Sequence, residues 1–265
     1  MNQDQLKEKL LQIESDVEEF TLLFSGKKSK KVNGLYKPET KEILIHNKNF
    51  EEDNSMIYTA IHEFAHHVHL SKSPMPFSSR AHTNEFWNIF HSLLIVAEEK
   101  GIYQNIFELN KDFIALTKDI KENYLSKNGE LMKDFGKLLI KAVNLCQINN
   151  VRFEDYVDRA LTLNRTTATS IMKVFTMDVN PEIGFDNMKI VAGINDEDER
   201  RRIEDAFIEG QSVDMVKARI KGKKEPGSSR ELLLNEKGKI EKTIERLNNK
   251  LKQIDEKIEE LDDEE

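Results

Sequence analysis

Met56-Ile57-Tyr58-Thr59-Ala60-Ile61-His62-Glu63-Phe64-Ala65-His66-His67-Val68-His69-Leu70 is the stretch that decides how the rest of the chain is read. It holds no Gly or Pro, and Ile57, Ile61, Ala65 and Val68 recur at helical spacing, so it predicts an amphipathic helix. Asn54 or Ser55 serves as its N-cap. Inside it stands H-E-x-x-H. Residues four apart on a helix lie just over one turn along the same face, so His62 and His66 can grip one metal ion, Zn²⁺ by their chemistry. Glu63 sits one position round. There a carboxylate can take a proton from an activated water and pass it to a leaving amine, as zinc hydrolysis of an amide requires. A helix with two solvated histidines would show the same string, so its surroundings must decide.

A catalytic zinc takes three protein ligands. Lys72 occupies the place, six residues after His66, where one common arrangement has its third histidine. The candidates within reach are His67, His69, His82, Glu85, His91, Glu98 and Glu99. His69 lies two turns from His62, too far along the axis for a compact tetrahedron. His67 points a quarter-turn away and is expected to be solvated. His82 opens a second helical pattern (Ala81-His82-Thr83-Asn84-Glu85-Phe86-Trp87), and the two-proline loop over residues 71–80 allows that helix to fold back beside the first. Phe86 and Trp87 would then anchor it in the core.

Composition bounds the rest. The chain has 265 residues, a formal charge of −8, 33% charged and 38% hydrophobic residues. That is room for two modest domains, with no overall basic footprint for nucleic acid. The lone Cys146 excludes internal disulfides and any cysteine-built zinc ribbon, and reads as a buried filler. The N-terminal run alternates charge with helical leucines and lacks an apolar secretion segment, and no run is long enough to span a bilayer. A cytoplasmic protein that does not meet the membrane is expected.

Along the chain, the pattern predicts a helix over residues 4–19, strands over 20–24, 32–36 and 42–46, then the histidine helix and another from about Thr83 to Lys100. Lys27, Lys28, Lys30 and Lys31 make a basic loop. Ser126-Lys127-Asn128-Gly129 reads as a break between domains. Helices follow over 130–149, 153–161 and 165–175, with two more between 185 and 220. The fold class is therefore α+β: a metal-binding domain over 1–125 with a short antiparallel sheet, and an all-α domain over 130–220. A linker over 221–230 and a tail over 231–265 complete the chain. In the tail, Leu233, Ile240, Ile244, Leu247, Leu251, Ile254, Ile258 and Leu261 step by fours and threes, with Lys237 the one polar seam position. That suits a coiled coil and self-association, or a helix docking on its own protein.

Four elements in fixed order carry a resemblance: Val32-Asn33-Gly34-Leu35-Tyr36, Ile43-Leu44-Ile45, H-E-F-A-H, and H-x-x-E-F-W from His82. Together they resemble the SprT-like (Spartan/WLM-type) zinc metallopeptidases over roughly residues 20–100. The resemblance implies that His62, His66 and His82 hold zinc, that Glu63 is the catalytic acid/base, and that His82 is favoured over Glu85. Many bacterial relatives carry a cysteine ribbon after this core, which this chain cannot build.

Residues 153–174 read as helix, tight turn, helix. Val157, Leu161, Leu163, Ala168 and Ile171 fall where two such helices must pack. Asp158 stands where a small residue is usual, and Thr162 where the turn glycine is. The second helix would offer Arg165, Thr166, Thr167, Thr169, Ser170 and Lys173 to a DNA major groove. With the turn at Gly210-Gln211-Ser212, residues 131–220 resemble the helical domain of ParB-type partition proteins, without their nucleotide-binding motifs. Acid-rich residues 195–209 temper phosphate affinity, which Lys221, Lys223 and Lys224 or dimerisation would raise.

Three functions are compatible with these residues. One is a zinc endopeptidase brought to its protein substrates, DNA-associated ones, by a helical module that binds DNA or a protein partner. Another is a non-enzymatic helix-turn-helix regulator with a structural zinc, for which Glu63 has no use. The third is a peptidase that cleaves a repressor, as ImmA/IrrE-like peptidases do.

Overall fold

The chain is described by a computed structural model over residues 1–72, 82–222 and 229–262, mostly helical (71%) with one small three-stranded sheet. Helix α1 (Gln3–Ile13) is closed at its start by a capping box, in which Asn2 Oδ1 accepts from Gln5 N–H and Gln5 Oε1 accepts from Asn2 N–H. It ends earlier than its apolar pattern suggests. Val17 lies beyond it in a bend of the chain, half-buried against the same core.

Strands β1 (Thr21–Phe24), β2 (Gly34–Lys37) and β3 (Glu42–Ile45) follow, in the spatial order β1-β3-β2. The sheet is mixed, not antiparallel as the sequence suggested: β2 and β3 form a hairpin, while β1 runs parallel to β3. The cause is the basic loop over 25–33, which carries the chain past β3 to its far edge. That crossing is pinned by side chains from beyond β3. Asn47 Oδ1 accepts from Gly26 N–H at 3.0 Å and Asn49 Oδ1 from Ser29 N–H at 2.9 Å.

Helix α2 (Asp53–Lys72) lies across the sheet and α3 (Asn84–Glu99) beside it. The helix α2 begins ahead of the expected caps. Asn54, inside its first turn, instead bonds the Gln104 backbone at both ends of its amide. Thr83 Oγ1 caps α3 by accepting from Phe86 N–H at 3.2 Å. Leu6 and Leu10 from α1, Ile43 and Ile45 from β3, Ile61 and Phe64 from α2, and Phe86 and Phe90 from α3 form one buried core. The proline loop lies largely in residues 73–81, outside the described residues.

Beyond the short α4 (Ile106–Leu109), α5 (Lys111–Ile120) runs through a wide turn of π-helix at Lys121–Ser126 into α6 (Lys127–Ile148). The expected break at residues 126–129 is therefore continuous helix. Gly129 is there for contact: a Cβ would sit 2.5 Å from the Pro181 carbonyl oxygen. Gly136 does the same, where a Cβ would lie 2.6 Å from Phe175 Cβ and 2.7 Å from the Ile171 carbonyl oxygen.

Helix α7 (Phe153–Asp155) continues as a π-turn to Ala160, and α8 (Arg165–Thr176) follows across a tight turn. Val157, Ala168 and Ile171 are buried against Leu139, with Leu161 and Leu163 packed on them. Three helices rather than two come next: α9 (Phe185–Ala192), α10 (Glu197–Ile208) and α11 (Val213–Gly222). Here α11 packs back on α3, and Ser212 Oγ and His91 Nδ1 share a hydrogen bond of 2.9 Å. Last comes α12 (Ser229–Asp262). Most of the expected linker lies in residues 223–228, outside the described residues. No helix among the described residues is long and apolar enough to cross a membrane.

Candidate metal centre

His62 and His66 project from one face of α2, with ring centroids 5.2 Å apart. His82, directly before the Thr83 cap of α3, meets both, at centroid distances of 5.0 Å to each. His62 Nε2 and His82 Nε2 are 3.1 Å apart, and one nitrogen from each of the three rings lies within 4.8 Å of the others. Zinc holds nitrogen at about 2.0–2.1 Å, so two ligands of a tetrahedron stand about 3.3 Å apart. The three imidazoles could thus hold a metal ion, and they are the group among the described residues that brings such donors together.

The walls are aromatic. Phe86 stacks on His66 at 4.2 Å and meets His62 edge-on at 5.0 Å, while Trp87 lies 5.5 Å from His82. Burial, reinforced by the neighbouring imidazoles, brings His62 down to about 4 and His66 to about 3. Both rings are therefore neutral at neutral pH, with lone pairs available to a cation.

Glu63 is 8% exposed. Burial pushes its carboxyl up to about 7, against the opposing pull of a hydrogen bond from Tyr36 N–H. Two residues before Tyr36, Gly34 makes room for the same side chain. A Cβ there would meet Glu63 Cγ at 2.8 Å and Oε1 at 3.0 Å. Strand β2 thus fixes Glu63 by both contact and hydrogen bond.

His67 is not solvated: it is fully buried. Its Nε2 lies 2.8 Å from the Glu18 carbonyl oxygen, which can only accept, so Nε2 carries the proton. Nδ1 then accepts from the Tyr36 hydroxyl at 2.9 Å. The helical spacing of Ala60, Phe64 and His67 already placed this ring on the buried face. Its polarity argued the other way.

The remaining candidates are not part of that three-donor group among the described residues. Glu85 approaches His69 at 3.6 Å, and His91 stacks on Trp87 while bonding Ser212. Lys72 continues α2 and donates to Glu14 Oε2 at 2.8 Å. Cys146 is buried and unpaired in α6, as expected.

The second set of candidates lies on α8. Arg165, Thr166, Thr167 and Thr169 are exposed, and Ser170 and Lys173 are half-buried. Arg165 Nε donates to Asp158 Oδ2 at 2.9 Å. Thr169 Oγ1 donates to the Arg165 carbonyl at 2.9 Å, and Ser170 Oγ to that of Thr166 at 2.9 Å. Asn164 caps the helix by accepting from Thr166 and Thr167 N–H. Thr162, in the turn, has φ +49°. That left-handed conformation is the one for which a glycine is usual.

No protein-family profile, curated protein or solved structure matches this chain.

Proposed function

We propose that this chain is a zinc-dependent endopeptidase that hydrolyses peptide bonds in proteins held on DNA. The observation that carries the reading is the position and state of Glu63. A buried carboxyl, raised to about 7, is held by β2 directly after the first of the two α2 imidazoles that His82 joins. A site built only to hold a metal has no use for such a group.

In this reading His62, His66 and His82 hold zinc through ring nitrogens. When bound, zinc supplies Lewis acidity, polarising a carbonyl and lowering the pKa of water to about 7. Glu63 takes the proton from the attacking water. The carboxyl that has taken the proton can then return it to the departing amine. The Tyr36 hydroxyl donates to His67 and is committed there, so its contribution is the backbone N–H that holds Glu63.

The domain over residues 130–220 would deliver the peptidase. Arg165, Thr166, Thr167, Thr169, Ser170 and Lys173 form the face offered to DNA, supported by the exposure of the first four on α8 and by the left-handed turn at Thr162.

The test measures bound metal together with cleavage of casein and of a DNA-binding protein, with and without DNA. Glu63→Gln should retain stoichiometric zinc and lose cleavage by about 10²–10⁴-fold. Equal behaviour of the two zinc-loaded proteins would defeat the peptidase and leave the metal structural. His82→Ala should weaken zinc binding, whereas unchanged affinity would move the third ligand to Glu85.

A further inference from the structure

Helix α12 is 34 residues long and leaves its apolar seam to solvent: the side chains from Leu233 to Ile258 on that seam are 40% to 58% exposed. A regular seam of this kind is stable in water only when another helix covers it. The flanking charges select the cover. Numbering the seam as alternating a and d positions puts Glu236, Lys250 and Lys257 among the g positions, and Glu241, Asp255 and Asp262 among the e positions. In an antiparallel pair, g faces g and e faces e. The charged e positions would then set acid against acid along the coil, and on the g side only Glu236 could give a lysine a partner. In a parallel, in-register pair, g of one helix faces the e five residues later in the other, so Lys250 meets Asp255 and Lys257 meets Asp262 on both sides, four attractions against the two repulsions of Glu236 with Glu241.

We propose that α12 pairs with α12 of a second copy of this chain, parallel and in register. Lys237 enforces that register. It is the single polar seam position, and facing its own counterpart it can keep its ammonium near Glu241, which it already approaches at 3.6 Å. Any slip would bury it against an apolar seam residue. Parallel pairing has a structural consequence. Only residues 223–228 separate α11 from α12, so both helical domains emerge at the same end of the coil, with their α8 faces carried as a pair. A symmetric pair fits two equivalent half-sites on one duplex. The inference rests on the seam and its charges and stands whether or not the metal centre cleaves peptides.

The full-length protein tests it. Light scattering at tens of micromolar should give twice the chain mass, and Leu247→Asp should return it to the single-chain mass. Lys250→Glu should weaken self-association by about tenfold, since it replaces two attractions with two repulsions, and Asp255→Lys in the same chain should restore it. For orientation, Leu233→Cys alone should form a covalent dimer on oxidation with diamide, with wild type carrying the buried Cys146 as control. A monomer, a trimer or tetramer, or a cross-link formed only when Leu233→Cys is mixed with Ile258→Cys would each overturn the proposal.

Discussion

The polar side chains of the metal core bond across elements distant in sequence, whereas those on α8 bond their own helix or the turn before it. Tyr36 on β2 reaches Glu63 and His67 on α2, and His67 reaches the Glu18 backbone ahead of β1. On α8, Thr169 bonds Arg165, Ser170 bonds Thr166, and Arg165 reaches back to Asp158. Bonds of the first kind form only when the tertiary fold is complete, and they hold groups where chemistry needs them before a substrate arrives. Bonds of the second kind order a surface locally and can be exchanged for bonds to a partner. The first arrangement suits catalysis and the second suits docking.

Acid should separate the two regions most strongly. In the metal-free protein His62 and His66 have folded pKa values depressed to about 4 and about 3 from an ordinary 6.5. Their stabilisation is complete above 6.5 and is lost as pH falls through those values. Glu63 acts with the opposite sign, because its raised value favours the folded state below 4.5 and that contribution disappears as pH rises through about 7. Two histidines outweigh one glutamate on the acid side. The urea midpoint reported by Trp87, the only tryptophan, should therefore fall between pH 6.5 and 4, more steeply in Glu63→Gln. Helical circular dichroism from residues 130–220 should lag behind it. Coincident transitions would mean that the two regions unfold as one, through the packing of α11 on α3.

The next effect is on turnover. Gly34→Ala pushes a methyl into Glu63, and the flexible carboxylate moves rather than the strand. Cleavage should fall by about 10²-fold, the cost of roughly an ångström of misplacement, while zinc content stays unchanged. Joint loss of metal and activity would show that β2 supports the imidazoles rather than the carboxyl.

His67→Phe keeps the buried ring volume and removes both of its hydrogen bonds. It should cost about 2–4 kcal/mol, because the Tyr36 hydroxyl and the Glu18 carbonyl each lose a buried partner. Gly136→Ala is the counterpart in the helical region. It should cost about 1–3 kcal/mol, since the added methyl meets the backbone of α8 and no flexible side chain can yield to it. Denaturant midpoints of the two variants measure both.

These same residues mark the boundary of what the sequence reveals. The approach of His62, His66 and His82 was legible, because helical spacing fixes two of them and a loop-and-helix pattern offers the third. The seam of α12 was legible for the same reason: periodicity is local. Gly129 reads as a break in the sequence because a glycine that permits a turn and one that permits close packing are the same letter. Only the arrival of Pro181 against α6 tells them apart. The parallel placement of β1 escaped because it depends on the path of a loop pinned by Asn47 and Asn49 from beyond β3. The role of His67 escaped because its partners come from residues 18 and 36.

The smallest expected effect bears on the turn before α8. Thr162 holds φ +49°, a conformation that a β-branched residue adopts at a cost of about 1–2 kcal/mol. Thr162→Gly removes that strain, gives back part of it to unfolded-chain entropy, and loses the bond from Thr162 Oγ1 to the Leu161 carbonyl at 2.8 Å. A net gain of about 0.5 kcal/mol should remain. Lys41, at φ +51° in the hairpin between β2 and β3, supplies the matching substitution in the metal core. There Lys41→Gly also relieves strain, but it removes an ion pair with Glu18 at 2.7 Å, beside the carbonyl that receives His67. The glycine should therefore stabilise the helical region and leave the metal core no more stable than before. If both substitutions stabilise equally, the bonds across the metal core matter less to its stability than the local backbone does.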